Sequence, residues 1–215
     1  MATALDSRTP LTPEEFAELT NVSRETLARL TEYGGILRHW QKSVNLVGRV
    51  TLTDIWRRHM LDSAQLIPHI PENAREIVDM GSGAGFPGLV LAIMLDRPVH
   101  LIEATGKKAA FLREAARVTN APATVHNCRI EALPAWPVDL ITARALAPME
   151  KLLEYAEPFM GPNGLGSPVC LFLKGAKAEQ ELTEARKSWK MTVDRFPSIT
   201  DPEGSVLRIQ DLKRE

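Results

Sequence analysis

The spacing of the apolar residues changes about one third of the way along the chain. Up to about residue 73, they recur every three or four positions, as they do along one face of an α-helix. Thr12-Pro13-Glu14-Glu15 has the residues of a capping box with proline at the first helical position, which predicts that a helix begins there. Ser23 and Thr53 are placed to cap a second and a third helix, the third ending before Pro68. We therefore predict a helical extension over residues 1–73.

From about residue 75, short apolar runs alternate with helical patterns. Five runs predict strands: EIVDM, PVHLIEA, ATVHN, VDLITAR and VCLFLKG. Four segments between and after them predict helices: GLVLAIML, GKKAAFLREAARVTN, PMEKLLEYAEPFM and KAEQELTEARKSW. Such alternation indicates a parallel sheet that is covered by helices on both faces. The chain ends differently, because KMTVDRF and GSVLRIQDL flank a turn-rich segment and predict an antiparallel hairpin. We therefore predict an α/β domain over residues 74–215.

Composition limits the class of protein. A chain of 215 residues with 44% hydrophobic content can bury a substantial core in one compact unit. A net charge of −1 argues against a global attraction to nucleic acid or to an acidic membrane. The start, MATALDSRTP, has no apolar stretch typical of a secretory signal, and no apolar run approaches the ~20 residues of a membrane helix. Cys128 and Cys170 lack metal-binding spacing. We expect a soluble, cytoplasmic protein with free thiols, no bound metal and no evident protein partner.

The stretch VDMGSGAGFPG, residues 78–88, is the strongest local signal of a ligand site. It lies between a predicted strand and a predicted helix, so backbone N–H groups at Gly81, Gly83 and Gly85 can approach a ligand closely. The part from Gly83 also fits the dinucleotide pattern GxGxxG. Glu103 follows 20 residues later, at the end of the next predicted strand, where a carboxylate can accept hydrogen bonds from ribose hydroxyls. These features alone are compatible with several nucleotide-like cofactors.

Charge distinguishes two of those cofactors. Asp79 stands at the strand tip, where its carboxylate would oppose the pyrophosphate of a dinucleotide but would favour the sulfonium and ammonium groups of S-adenosylmethionine. The alternative role for Asp79, a carboxylate bonded only to nearby backbone amides, is compatible with either cofactor. The chain also lacks the Tyr-x-x-x-Lys motif of short-chain dehydrogenases. The terminal hairpin resembles the reversed last strand of class I methyltransferases. We therefore predict their Rossmann-like fold, with the helical extension before it, and S-adenosylmethionine as cofactor.

Several motifs in order then resemble one family. VDMGSGAGFPGLVLAI, LIEATGKKAAFL, NCRIEAL, TARALAP and LFLKG follow one another, and NLVG and RRHMLDS precede them. Together they resemble the bacterial small-subunit ribosomal RNA guanine-N7 methyltransferases, also called glucose-inhibited division protein B, over about residues 36–212. Two departures are Glu103-Ala104, where the family commonly has Asp-Ser, and Ile141-Thr142-Ala143 before Arg144. The longer carboxylate can still reach a ribose, and the arginine itself is kept.

The resemblance implies positions for the donor. It assigns backbone at Gly81 and Phe86 to the donor site, Ile130 and Glu131 to the surroundings of the adenine, and Glu103 to the ribose. It also implies that Arg144, at the end of the fourth predicted strand, positions the reacting groups, with no general base. A surface salt bridge is the alternative for Arg144. The motifs also contain Asn45, His59 and Asp62, for which packing and substrate contact both stay open, as does the role of Lys174.

Local charge suggests contact with RNA. Residues 38–60 contain five Arg or Lys residues against the single acid Asp54: Arg38, Lys42, Arg49, Arg57 and Arg58. Arg129 is a further candidate. Lys107 and Lys108 occupy the first turn of a predicted helix, where the helix dipole disfavours cations, so phosphate contact and a solvated helix end both explain them. The resemblance implies 16S rRNA, in the small ribosomal subunit or a precursor particle, as the partner.

Two missing motifs narrow the methyl acceptor. The chain has no Pro-Pro pair, which methyltransferases of exocyclic amines use, and neither cysteine follows a proline, as the nucleophile of pyrimidine-C5 enzymes does. Guanine N7 needs neither, because it attacks with an in-plane lone pair and loses no proton. The resemblance implies a guanine in the 530 loop. A small-molecule methyltransferase, an NAD-dependent reductase and a non-catalytic ribosome-binding module remain as alternatives.

Overall fold

The protein begins with two capped helices. The structure, a computed structural model, describes residues 9–134, 136–161 and 168–215. Helix α1 spans Pro13–Thr20 and helix α2 spans Arg24–Trp40. The Thr12 hydroxyl accepts a hydrogen bond from the Glu15 amide, and the Glu15 carboxylate accepts one from the Thr12 amide. Ser23 caps α2 in the same way through its hydroxyl. Both predicted helix starts are confirmed.

The segment between α2 and the sheet is helical but interrupted. It contains α3 (Arg49–Leu52), a π-helical turn (Trp56–Leu61), α4 (Asp62–Ala64) and a 3-10 turn (Ile67–His69). The prediction that Thr53 caps a single helix here is wrong. Thr53 occupies the C-terminal cap position of α3, and its hydroxyl donates to the carbonyl of Val50 in the preceding turn. The side chain therefore closes one helix instead of opening the next.

Seven strands form one mixed sheet in the described part of the chain. They are β1 (Ile77–Met80), β2 (Val99–Ile102), β3 (Ala123–His126), β4 (Leu140–Arg144), β5 (Val169–Lys174), β6 (Trp189–Pro197) and β7 (Ser205–Arg214). The spatial order is β3-β2-β1-β4-β5-β7-β6. Strands β1 to β5 pair in parallel, whereas β7 runs antiparallel to both β5 and β6. The predicted parallel sheet and terminal hairpin are both confirmed.

Helices cover both faces of this sheet. The four helices that follow strands are α5 (Gly88–Leu95), α6 (Gly106–Val118), α7 (Met149–Ala156) and α8 (Ala178–Ala185). Successive residues of β1 belong to different apolar clusters: Ile77 packs with α5 and α6, and Val78 with α7 and α8. This follows from the alternation of side chains along a strand, and it explains why both residues are apolar.

The N-terminal helices share a core with the sheet. Phe16 of α1 and Leu30 of α2 belong to the same buried cluster as Leu89 of α5 and Phe111 of α6. The change of pattern near residue 73 is thus a change of secondary structure within one packed interior, and the division into domains there stays a prediction. Cys128 and Cys170 are free thiols. Among the described helices, none is both long and apolar enough to cross a membrane.

The strand order determines where a ligand can bind. Strands β1 and β4 are neighbours, with β2 and β3 on one side of them and β5 on the other. The chain therefore leaves β1 and β4 in opposite directions, which opens a crevice at their carboxyl ends. The glycine loop follows β1, and Arg144 is the last residue of β4. Both lie at that crevice.

Candidate active site

The glycine loop has backbone conformations that favour glycine. Gly81, Gly83 and Gly85 have φ values of 64°, 58° and 91°, in the left-handed region where L side chains are strained. A Cβ at Gly85 would lie 2.7 Å from the hydroxyl of Tyr33, and this hydroxyl donates to the Ala84 carbonyl. Helix α2 therefore packs directly behind the loop and supports its shape.

The front of the loop lines a cavity of about 370 Å³, the first cavity. Most of the predicted donor residues line it: Gly81, Gly83, Phe86, Glu103, Ile130, Glu131 and Arg144. They come from the ends of four strands, β1 to β4, and meet because parallel strands end at the same edge of a sheet. Gly85 is buried in the loop, so its contribution is to the turn.

Glu103 connects the glycine loop to the next strand. One carboxylate oxygen accepts from the Gly83 amide at 2.9 Å, and the other accepts from the Thr105 amide at 2.6 Å, just before α6. The side chain is buried but still lines the first cavity. Each carboxylate oxygen has two lone pairs, so both can accept further hydrogen bonds from a ligand. Glu103 consequently has a structural role in addition to the predicted ligand contact.

Asp79 lies behind the loop and does not line the first cavity. The residue is fully buried, and one carboxylate oxygen accepts from the Thr142 hydroxyl at 2.7 Å. The other, Oδ2, has no hydrogen-bond partner among the described side chains and backbone groups. Burial raises the pKa of Asp79 to about 6, against the opposing effects of hydrogen bonds and of Arg144. Asp79, predicted to belong to the donor site, would therefore act on the donor electrostatically from beneath the loop, without lining the cavity.

Arg144 is held in place by three acceptors. Its Nη1 donates to the Asp62 carboxylate at 2.9 Å and to the Arg58 carbonyl at 3.2 Å, and its Nη2 bonds to His59 Nδ1 at 2.9 Å. The guanidinium also lies 5.0 Å from the centre of the Phe86 ring. Arg144 and Asp62 are only 16% and 17% exposed, so solvent screens this ion pair weakly. The alternative of an exposed surface salt bridge does not describe this arginine.

His59 is a neutral part of this network. Burial, together with Arg144 and Arg58, lowers the pKa of His59 to about 3. Since a guanidinium can only donate, Nδ1 must accept from Arg144, which leaves the proton on Nε2 for the Thr51 hydroxyl at 2.9 Å. The imidazole stacks on Phe86 with ring centres 4.8 Å apart. His59 therefore orients Arg144 and the wall of the first cavity.

A second cavity, of about 610 Å³, adjoins the first. The two share four lining residues: Leu46, Val47, Arg144 and Ala145. The second cavity is also lined by Arg58 and Lys174, which carry positive charge, and by residues of the loop between β6 and β7. Lys174 forms an ion pair with Glu181 and donates to the Ala147 carbonyl. The arrangement can hold two molecules side by side, with Arg144 between them.

The eight predicted RNA-binding residues fall into four groups. Arg58 lines the second cavity, whereas Lys108 and Arg129 line the first. Four others are exposed and line neither cavity: Arg38, Lys42, Arg49 and Lys107. The structure does not support Arg57 as an RNA contact. Its side chain is only 8% exposed and bonds to Asp54 and to the Thr9 carbonyl, so it ties the N-terminal segment to the π-helical turn.

The model of one protein family, described as rRNA small subunit methyltransferase G, matches residues 26–205. Among curated relatives, the Ribosomal RNA small subunit methyltransferase G of Rhodospirillum rubrum is 53% identical over 95% of this chain and 100% of its own length. That of Rhodospirillum centenum is 55% identical over 92% of this chain and 90% of its own length. The chain belongs to the rRNA small subunit methyltransferase G family.

Solved structures confirm the fold. An O-methyltransferase from Bacillus cereus in complex with SAH has a TM-score of 0.56, with 14% identity, over 92% of this chain and 96% of that one. TYW2 of M. jannaschii in complex with AdoMet has a TM-score of 0.53, with 15% identity, over 72% of this chain and 75% of that one. The predicted class I methyltransferase fold is confirmed, and in this methyltransferase G chain it carries the N-terminal helices.

Sequence reasoning missed several residues of the site. Tyr33, which supports the glycine loop, looks like one more apolar position of α2 in the sequence. Asp201 lies in a turn-rich segment with no motif, yet it lines the second cavity. Lys174 and His59 stand in matched motifs, but their roles could not be assigned. His59 bonds to Arg144, which is 85 residues away, so the two could not be paired from the sequence. The position of Lys174 as the last residue of β5, at the edge of the sheet where Arg144 ends β4, is the signal that could have found it.

We expect Glu103→Gln to lower both donor affinity and stability. An amide nitrogen cannot accept a hydrogen bond, so one of the Gly83 and Thr105 amides would lose its partner, at a cost of about 1–3 kcal/mol in the free energy of unfolding. We expect titration calorimetry with S-adenosylmethionine to show an affinity loss of roughly tenfold to a hundredfold. Glu114→Gln, on the exposed side of α6, is the matched control. Unchanged donor affinity would contradict the assignment of Glu103 to the donor.

We expect donor affinity to depend on pH through Asp79. Its raised pKa, about 6, means that the buried carboxylate is ionised above that value and neutral below it. A cationic donor in the first cavity favours the ionised form, so its affinity should be constant at high pH and fall as pH drops through about 6, by at most roughly tenfold per unit. His59, with a pKa of about 3, stays neutral over this range. Titrations between about pH 5 and 8 test this. In Asp79→Asn, donor affinity should no longer depend on pH over this range. An equal fall of affinity in the variant and the wild type would contradict the assignment of this dependence to Asp79.

Proposed function

We propose that this protein transfers a methyl group from S-adenosylmethionine to N7 of a guanine in 16S rRNA, within the small ribosomal subunit or a precursor particle. Membership of the methyltransferase G family is the observation that carries the proposal. The two adjoining cavities, which Arg144 separates, fit a donor and an acceptor base. The target would be the guanine of the 530 loop that the family resemblance implies, and the protein would act in the cytoplasm.

The first cavity fits the donor better than it fits a dinucleotide. S-Adenosylmethionine supplies an electrophilic methyl group on a sulfonium and carries no phosphate. The Gly83 amide, which would face a pyrophosphate, is already bonded to the Glu103 carboxylate, and the buried Asp79 adds negative charge behind the loop. These carboxylates favour a cation and oppose an anion. Glu103 would hold the ribose, and the wall at Ile130 and Glu131 would receive the adenine.

The acceptor chemistry requires alignment more than proton transfer. Guanine N7 has an in-plane lone pair, so methylation forms one bond to carbon, breaks the carbon–sulfur bond and releases no proton. The nearby His59 already uses its Nδ1 lone pair on Arg144, so the site is not built around a free base. Burial raises the pKa of the Cys170 thiol to about 12, which rules this group out as a thiolate nucleophile. Arg144, fixed by Asp62 and His59, would position the base against the methyl group.

Surface charge beside the second cavity supports RNA as the source of the acceptor base. Arg58 borders this cavity, and Arg49 is exposed on α3, beside residues that line it. Such exposed cations can bind phosphates although the net charge of the chain is −1. Near-neutral overall charge favours an assembled or partly assembled ribosomal particle, which offers shape as well as phosphate, over naked RNA.

Replacing Arg144 should affect methyl transfer more than donor binding. Arg144→Lys keeps the charge but loses the planar fork that reaches Asp62, His59 and the Arg58 carbonyl together. We expect a fall in kcat of roughly tenfold to a hundredfold for Lys, because small displacements of reacting groups have effects of this size, and a larger fall for Ala. Arg117→Lys, exposed on α6, is the control. Full activity in Arg144→Lys would reduce the role of this residue to bulk charge.

The substrate can be tested with ribosomal subunits. Small subunits from cells that lack this protein should accept labelled methyl from S-adenosylmethionine, whereas subunits from normal cells should not. The modified position should become sensitive to scission by borohydride and aniline, because N7 alkylation leaves a cationic ring that makes the base labile. Label in a small metabolite would favour the small-molecule alternative. Label in large-subunit RNA or at a scission-resistant position would contradict the guanine-N7 assignment.

A further inference from the structure

We infer that Asp201 recognises the acceptor base, by accepting hydrogen bonds from the N1–H and N2–H groups of guanine. This inference rests on the proposed function and assigns a specificity residue to it. Asp201 lies in the β6–β7 loop, residues 198–204, and lines the second cavity but not the first. Its ion pair with Arg58 has an N–O distance of 3.9 Å, and the two side chains are 40% and 41% exposed. The carboxylate therefore faces a cavity with a loosely held counterion.

The arrangement of the two cavities orients the base. They meet at Arg144, Ala145, Leu46 and Val47, so an N7 atom that reaches the methyl group must lie at this junction. The N1–H and N2–H groups of guanine point away from N7, although the edge that carries them shares O6 with the edge that carries N7. These two groups would therefore face the part of the second cavity that the first does not share. The β6–β7 loop contributes Ser198, Asp201 and Gly204 to that part.

Three carboxylates of the described residues line the second cavity, and two of them are closely paired with a cation. Both oxygens of Asp62 accept hydrogen bonds, from Arg144 on one and from Thr200 and Gln65 on the other. One oxygen of Glu181 takes both the ion pair with Lys174, at 2.5 Å, and the hydrogen bond from the Met149 amide, so the charge of this carboxylate is closely neutralised. Asp201 uses Oδ1 to accept from the Glu203 amide at 3.0 Å, and among the described residues its Oδ2 is paired only with Arg58, at 3.9 Å. Asp201 is thus the carboxylate best placed to accept from a ligand.

The chemistry of the base matches a carboxylate at this place. Guanine presents two donors, N1–H and N2–H, which an ionised carboxylate can accept as a pair. Adenine presents an unprotonated N1 at the same position, which a carboxylate opposes. Enzymes that act on an extruded base commonly read its Watson–Crick edge in this way. The same contact would leave N7 and O6, on the other edge, directed to the junction and Arg144.

The β6–β7 loop is tethered so that Asp201 has a defined position. The Thr200 hydroxyl donates to Asp62 at 2.6 Å, and the Ile199 amide donates to Gln65 at 3.0 Å. Within the loop, the Gly204 amide donates to the Asp201 carbonyl at 2.9 Å. Asp62 also holds Arg144, so one residue sets the position of both ends of the proposed base site. Binding of phosphate by Arg58 would release Asp201 for the base.

The test compares Asp201→Asn with the wild-type protein. Asparagine keeps an oxygen for the Glu203 amide, so the loop should fold, but it replaces the second acceptor with a donor. With unmodified small subunits, we expect kcat/KM to fall roughly tenfold to a hundredfold, with unchanged affinity for S-adenosylmethionine. We also compare subunits that carry adenine in place of the modified guanine. The ratio of kcat/KM for guanine to kcat/KM for adenine should be smaller in Asp201→Asn than in the wild type, by a similar factor. Glu203→Gln, in the same loop but outside the cavity, should behave like the wild type.

The outcomes separate the two claims. Wild-type kcat/KM and an unchanged guanine preference in Asp201→Asn would overturn the inference and leave the proposed function intact. A loss of activity without any narrowing of the guanine preference would also overturn it, since that result describes a structural role. Asp201→Ser, which has no second acceptor and no amide donor, should lose activity on guanine without gaining any on adenine. If the wild-type protein transfers no methyl to small subunits, the proposed function fails and the inference fails with it.

Discussion

The ion pair between Asp62 and Arg144 is the interaction on which the site depends. It joins the helical segment before the sheet to the end of β4, and Asp62 also accepts from Thr200 in the β6–β7 loop. Removing one partner would leave a charge in a poorly solvated place, which is far more costly than losing an exposed pair. Since Arg144 borders both cavities, this pair determines how donor and acceptor would lie relative to each other. The geometry of the site is therefore a tertiary property.

The N-terminal helices support this geometry from behind. Tyr33 of α2 donates to the Ala84 carbonyl and packs against Phe86, and the Phe86 ring also contacts His59 and Arg144. The glycine loop therefore lies between α2, which precedes the sheet, and Arg144, which ends β4. A Rossmann-like sheet alone would leave the back of this loop open to water. In this chain the extension completes both the hydrophobic core and the first cavity.

Burial shifts the pKa values of two titratable side chains beside the site, His59 and Asp79. His59 stays neutral because burial and two arginines lower its pKa, whereas burial raises the pKa of Asp79. A neutral imidazole can accept from Arg144, and a carboxylate that is only just ionised responds to a nearby cation. Neither pKa follows from residue type, because an ordinary histidine is partly protonated near neutral pH and an ordinary aspartate is fully ionised there. Burial and the neighbouring charges therefore set the protonation states that His59 and Asp79 need for their roles at the site.

The sequence by itself determined the sheet, its helices, the terminal hairpin and most of the wall of the first cavity. These features depend on short-range patterns: alternation, helical periodicity, capping residues and glycines that follow a strand. It did not determine the interrupted helix after Thr53, the burial of Arg57, the position of Asp79 behind the loop, or the meeting of Asp62, His59 and Arg144. Those features depend on tertiary contacts. The residues that Arg144 contacts, Asp62 and His59, are more than 80 positions away from it in the sequence. Only packing decides which charged side chain is buried with a partner and which remains in water, because the balance of desolvation and pairing is set by the neighbours.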